Sequence, residues 1–285
     1  MIRLRRDRER IKLTELIDQE CVSYVNEASE VADALRKLVK GNLIALLIRK
    51  VNNYKISGLI TQISPLNTLS KFTLPLKRFL TSPISIIKVK SYRTKVYTTD
   101  TLIKLLTYIR RHKLATVVPL YATANEIMGV VTYRKIYEYL RKLTDLTPII
   151  TSLSSKKYPE LMVSPNTMAK TVIRKLARYG SYPVIVHRKG KVLGVVRPLD
   201  LLRQFLEEDV LNMIDKGIDE YFLNAPITVF ASRDYPSSTL EGFRVDEVHR
   251  ALLSHGYILT LSSNRLAGLI TIRNVIVEYF KGLSI

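Results

Sequence analysis

Short apolar runs alternate along this chain with segments whose apolar side chains recur three or four positions apart. The first pattern predicts a buried β-strand and the second an amphipathic helix. The alternation is clearest between Val163 and Phe205. Residues 163–167, V-S-P-N-T, read as a short strand running into a helix start, with Asn166 and Thr167 both able to cap free backbone N–H groups. Met168, Val172, Ile173 and Leu176 then share one helical face, and Gly180 supplies a stop. Residues 182–186 (Y-P-V-I-V) predict a buried strand, 187–190 a polar turn, and 191–196 the returning strand. Pro198, favoured in a first helical turn, opens a last helix carrying Leu201, Leu202 and Phe205. The predicted order is β-α-β-β-α.

That order recurs. Val31, Ala34, Leu35 and Leu38 precede strands over 43–48 and 54–60. Leu102, Leu105, Leu106 and Ile109 precede strands over 115–121 and 127–132, and Val245, Val248 and Leu252 precede strands over 257–263 and 266–271. In every copy the last strand contains a glycine followed by two apolar residues and a helix start. The glycines are Gly58, Gly129, Gly194 and Gly268, at intervals of about 70 residues, as expected of one structural unit used repeatedly. The expected division is a basic segment over 1–15 and repeats over 16–79, 80–143, 144–212 and 213–285. The periodic apolar residues are expected in the core.

The unit resembles the CBS domain, the module named after cystathionine β-synthase. The resemblance is carried by V-S-P-N-T, by Y-P-V-I-V, and by Gly194-Val195-Val196-Arg197-Pro198-Leu199-Asp200. That last phrase compares with a family ending of glycine, two apolar residues, Thr or Ser, two variable residues and Asp. With its copies, the resemblance covers nearly the whole chain after residue 20. It implies an α/β (α+β) fold of four β-α-β-β-α CBS repeats, paired into two Bateman modules that can pack as a disc within one chain. It also implies clefts between paired repeats that take adenosine-containing molecules.

In the family the terminal acid accepts hydrogen bonds from both ribose hydroxyls, a task suited to a carboxylate. The Thr or Ser at the helix start holds ribose or phosphate oxygen beside free backbone N–H groups. The four copies differ at these positions. The third keeps Asp200 but has Arg197 in place of the hydroxyl. The second has Thr132 but Lys135, the fourth Thr271 but Asn274, and the first Thr61 but Ser64 followed by Pro65. A lysine cannot accept from a diol, whereas an asparagine carbonyl can accept once. The resemblance therefore places the nucleotide site in the cleft of the third repeat with the fourth. Asp200 is assigned to the ribose and Arg197 to a phosphate through its forked guanidinium. Gly194, Val195, Val196 and Val184 lie toward the base, and Thr271 and Asn274 come from the fourth repeat. Each charged residue also has a ligand-free reading: Asp200 as a first-turn acid stabilised by the helix dipole, Arg197 as an ion-pair partner.

Composition adds charge to this picture. Lys+Arg 45 against Asp+Glu 25 gives +20, a field that favours nucleotides, nucleic acid, an acidic protein or lipid headgroups. The opening run of Arg3, Arg5, Arg6, Arg8, Arg10 and Lys12, broken by Asp7 and Glu9, reads as a solvated helix, as does the acidic stretch from Glu207 to Glu220. No run approaches the ~18 apolar residues of a membrane span, and the N-terminus lacks a signal-peptide core, so a cytoplasmic protein is expected. The single Cys21 excludes an internal disulfide and reads as a buried or half-buried thiol. The four histidines have no metalloprotease spacing, and no nucleotide-binding Walker loop, dinucleotide fingerprint or nucleophile elbow occurs. No enzymatic activity, metal or catalytic cofactor is expected.

Two functions fit. One is a regulatory sensor that binds AMP, ADP, ATP or S-adenosylmethionine between the third and fourth repeats and signals to a partner protein. The other is a nucleic-acid-binding or scaffold protein whose clefts are largely vestigial. Both a disc within one chain and a homodimer are compatible with two modules.

Overall fold

The computed structural model describes residues 11–52, 55–71, 75–89, 94–112, 115–180 and 182–283. The expected helix over the opening basic run falls mostly outside them, as does Tyr54. The first unit comprises β1 (Val22–Asn26), α1 (Val31–Lys40), β2 (Ala45–Arg49), β3 (Ile56–Thr61) and α2 (Ile63–Lys71), followed by the short α3 (Leu76–Leu80). The second comprises β4 (Val96–Tyr97), α4 (Leu102–Arg111), β5 (Val117–Thr123), β6 (Glu126–Thr132) and α5 (Tyr133–Leu143), then α6 (Thr147–Leu153). The third comprises β7 (Met162–Val163), α7 (Ala169–Tyr179), β8 (Val184–Arg188), β9 (Lys191–Val196) and α8 (Pro198–Gln204), then α9 (Glu208–Asp215) and α10 (Glu220–Asn224). The fourth comprises β10 (Ser237–Thr239), α11 (Val245–His255), β11 (Tyr257–Ser262), β12 (Arg265–Thr271) and α12 (Ile272–Leu283).

In each unit the first two strands are parallel and the last two antiparallel. A parallel pair needs a crossover, which the first helix supplies; the antiparallel pair needs only a turn. Lys189 and Gly190 make that turn in the third unit with φ of 50° and 85°, so β8 continues through Arg188 and the turn is tighter than the sequence suggested. The start of α7 also differs from expectation. Met168 is its N-cap, 45% exposed and off the buried stripe, while Val172, Ile173 and Leu176 are buried. Thr167 Oγ1 lies 3.2 Å from Ser164 Oγ, and no side chain caps the helix.

Units three and four share one six-stranded sheet, joined where β12 meets β9 at Arg265 and Lys191. Ile185 and Val195 pack there against Leu259 and Leu269. Units one and two keep separate three-stranded sheets, which meet through Ala45, Leu47, Val117 and Val130. The two modules then join helix to helix. One core unites Leu35, Leu38 and Leu66 of the first unit with Val172, Leu176 and Phe205 of the third. Another unites Leu105, Ile136 and Leu140 of the second unit with Val248, Leu252 and Ile276 of the fourth.

The recurring glycines all lie beneath a crossing segment, whose side chain covers Gly58 and Gly129 and whose backbone covers Gly194 and Gly268. Within each module, the segment leading into one unit crosses the last strand of its partner. Ser232 and Val195 exchange two backbone hydrogen bonds of 2.9 Å, and Asp18 N donates to Val130 O at 2.9 Å. Val89 N donates to Leu59 O at 2.9 Å, and Leu269 N to Lys156 O at 3.1 Å. A Cβ on Gly194 would stand 2.9 Å from both Ser232 O and Ala231 Cβ. Glycine lets the crossing backbone approach that closely.

Candidate functional site

Strand β9 delivers Arg197 to the N-cap of α8, with Pro198 next and Asp200 at the third helical position. Asp200 Oδ2 accepts the Arg197 backbone N–H at 2.9 Å, closing the first turn. The Arg197 side chain covers the same carboxylate: Nη2 donates to Oδ1 at 2.7 Å and Nε reaches Oδ2 at 3.0 Å. Asp200 is 7% exposed. Its hydrogen bonds hold the Arg197 guanidinium above its ordinary pKa despite burial. Tyr257, at the start of β11, lies against this pair, and burial foremost raises its phenol above the usual range. The structure thus brings Asp200 and Arg197 together, but onto each other, as first-turn acid and ion-pair partner.

The other predicted site residues are engaged in the fold. Val184, Val195 and Val196 are fully buried: Val184 and Val196 lie in the core shared with the first unit, and Val195 in the core that joins the third unit to the fourth. Gly194 lies under Ala231 and Ser232. Thr271 Oγ1 accepts Asn274 N at 3.2 Å. The Asn274 side chain accepts from the Tyr182 hydroxyl and donates to the Tyr158 hydroxyl, and these two rings lie 5.8 Å apart. Two tyrosines of the third unit therefore fill the polar corner of the fourth.

The first module is closed in a similar way. Thr132 donates to Asp18 Oδ2 at 2.6 Å, and Asp18 Oδ1 accepts the N–H groups of Glu20 and Cys21. The leading segment thus supplies the acid that position 135 lacks, while Lys135 pairs with Glu20 at 3.5 Å. Thr61 and Ser64 bond to each other at 3.1 Å. Asp18, Tyr158 and Tyr182 were missed in the sequence, because nothing in their local spacing points to the residues they meet.

A cavity of about 250 Å³ lies where all four units meet. Arg134, Arg197, Arg273 and His255 line it, with half-buried Cys21 and Thr116. Arg197 thus touches both Asp200 and this cavity. The acidic stretch after α8 packs partly on the first unit: Asp219 Oδ2 accepts Leu76 N at 2.8 Å, and Asp215 pairs with Lys77 at 3.1 Å. Among the described residues, no group of three or more His, Cys, Asp or Glu could hold a metal ion, and no helix is long and apolar enough to cross a membrane.

Residues 151–207, which contain Arg197 and Asp200, match the model of the CBS domain family. No curated protein matches the sequence. Among solved structures, one similar fold is a Methanocaldococcus jannaschii protein described as a candidate archaeal homologue of g-AMPK. The two are 16% identical with a TM-score of 0.78, over 95% of this chain and 100% of that one. An uncharacterised conserved protein from Pyrococcus horikoshii is likewise 16% identical, with a TM-score of 0.52 over 95% of this chain and 100% of its own. A CBS domain protein from Pyrobaculum aerophilum, complexed with AMP, is 20% identical over 47% of this chain and 98% of its own, with a TM-score of 0.37.

Proposed function

We propose that this CBS-domain protein is a regulatory sensor of an adenosine-containing ligand (AMP, ADP, ATP or S-adenosylmethionine), bound between the third and fourth repeats and read out by a protein partner. One observation carries this proposal. Asp200, at the position of the family's ribose acid, is a buried carboxylate held by a guanidinium that also lines a cavity. A ligand phosphate would compete with Asp200 for the fork of Arg197, and the released carboxylate would take the ribose diol. One set of charge-assisted bonds replaces another, so neither charge is left buried and alone. The carboxylate is particular to this unit: the matching positions elsewhere are Ser64, Lys135 and Asn274. Thr271 and Asn274 would join the site only if Tyr158 and Tyr182 withdrew. Arg197 would also transmit occupancy, because it lies where the four units meet, and a ligand shifts the modules only if it prefers one of their arrangements.

Calorimetric titration of the four ligands into the full chain tests the site. The expected result is about one equivalent bound, abolished by Asp200→Ala, with Arg197→Ala weakening AMP far more than adenosine. Unchanged binding in Asp200→Ala, or no heat from any ligand, removes the proposal. The filled corners of the other three units, with the charge of +20, favour one alternative: a nucleic-acid-binding or scaffold protein. Retardation of RNA or DNA that falls steeply with salt would support it.

A further inference from the structure

Strand β1 ends the sheet of the first unit, and β2 pairs with one of its two edges. In the matching place β4 and β7 have two residues each and β10 has three, whereas β1 has five. Short length, charged side chains and proline are the usual protections of an open edge. The five residues of β1, V-S-Y-V-N, carry no charge and no proline, and Tyr24 is 39% exposed. Hydrogen bonds at both ends fix which way the backbone faces. Cys21 O accepts Ile44 N at 2.9 Å, and Glu27 N donates to Arg49 O at 3.0 Å. Successive residues of a strand direct their N–H and C=O groups to opposite edges, so Cys21, Ser23, Val25 and Glu27 face β2. Val22 and Tyr24 turn theirs outward, and among the described residues no other strand pairs with them.

An open groove of about 520 Å³ lies beside the strand, lined by Tyr24, Lys37, Arg49, Lys50 and Val51 among others. The Arg49 guanidinium sits over the Tyr24 ring at 3.7 Å. The acid among the lining residues, Asp33, is held by Arg36 at 3.1 Å, which leaves the groove cationic. We infer that β1 takes up an added strand from a partner protein, an extended acidic segment in which apolar and acidic side chains alternate. Its backbone completes Val22 and Tyr24, an apolar side chain covers the Tyr24 ring, and its carboxylates meet Lys37, Arg49 and Lys50. A second copy fits less well, because pairing β1 with β1 would set two Arg49 and two Lys50 side chains near one axis, on chains of charge +20. The inference rests on the reading that a protein partner exists, and needs no nucleotide at Asp200.

The test titrates an end-capped hexapeptide of alternating Glu and Val into the full chain and follows the backbone amides by NMR. Saturable binding should slow hydrogen exchange at the Val22 and Tyr24 amides. Lys50→Glu should weaken the peptide about fivefold, as expected for one exposed ion pair. Tyr24→Pro removes an outward N–H, spares the bonds to β2, and should abolish binding. Should Tyr24→Pro not fold, the same peptide N-methylated at alternate residues carries the test, because it keeps every charge and cannot pair. No binding, equal binding of the N-methylated peptide or of a Lys-Val peptide, or protection elsewhere overturns the inference. A concentration-dependent dimer whose Val22 and Tyr24 amides are protected without peptide gives the edge to a second copy and also overturns it. Peptide binding by a chain that ignores every nucleotide leaves this edge standing and removes the site at Asp200. Nucleotide binding without peptide binding removes the edge alone.

Discussion

Replacing Gly268 by alanine should be the most damaging single-methyl change in the molecule. The new Cβ would fall on the carbonyl oxygen of Ser154 and stand 2.8 Å from Thr260 Oγ1. Neither neighbour is free to move. Thr260 Oγ1 donates to that same carbonyl, and Leu269 N holds Lys156 O at 3.1 Å. Lifting the linker strains both hydrogen bonds, at about 1 kcal/mol each, on top of about 1–3 kcal/mol for overpacking. A loss of about 3–5 kcal/mol follows, which for a chain of this size lowers Tm by about 10 °C. Circular dichroism melts of a glycine series provide the assay. Gly194→Ala should rank second, because it meets the Ser232 backbone. Gly58→Ala should cost less than about 1 kcal/mol, because only the flexible Lys88 side chain stands in its way. Gly282→Ala in α12, with nothing within 4 Å, should gain about 0.5–1 kcal/mol of helix propensity. A Gly268→Ala protein melting with the wild type, or Gly58→Ala proving the worst, would refute the close-approach account.

Burial foremost, and then Arg141, lowers the pKa of His249, which bonds the Tyr137 hydroxyl between α5 and α11. Its contribution is therefore complete above the ordinary histidine pKa of about 6.5 and is lost as pH falls through the lower folded value, so urea midpoints should drop on acidification and His249→Gln should flatten that decline. Tyr182→Phe should cost about 1–3 kcal/mol in a urea melt, because it leaves the Asn274 carbonyl and Arg273 Nη1 short of a partner. Arg36→Ala, which removes the exposed pair with Asp33, should change stability by less than about 0.5 kcal/mol in the same melt.

Strand and helix order was legible because periodicity is local, and it placed β9 and α8 where the structure has them. Helix starts were less so. Asn166 and Thr167 looked like caps, but Ala169 N donates to Ala225 O at 3.0 Å and Ile227 N to Thr167 O at 2.8 Å. A distant linker does the work assigned to a side chain. The Arg197–Asp200 pair was readable as two charges three positions apart. The tyrosines on Asn274 lie 92 and 116 positions away, and Asp18 lies 114 from Thr132. Such partners are set by topology, which no local pattern encodes.

The crossing linkers also bear on how the chain is made. Gly58 is covered by residues that emerge after it, and Gly129 by residues that emerge long before it. No first unit can finish on the ribosome alone; it waits, half closed, until the second arrives and folds back onto the opening residues. A cut between partners would leave two raw strands, each a template for another copy of the same chain.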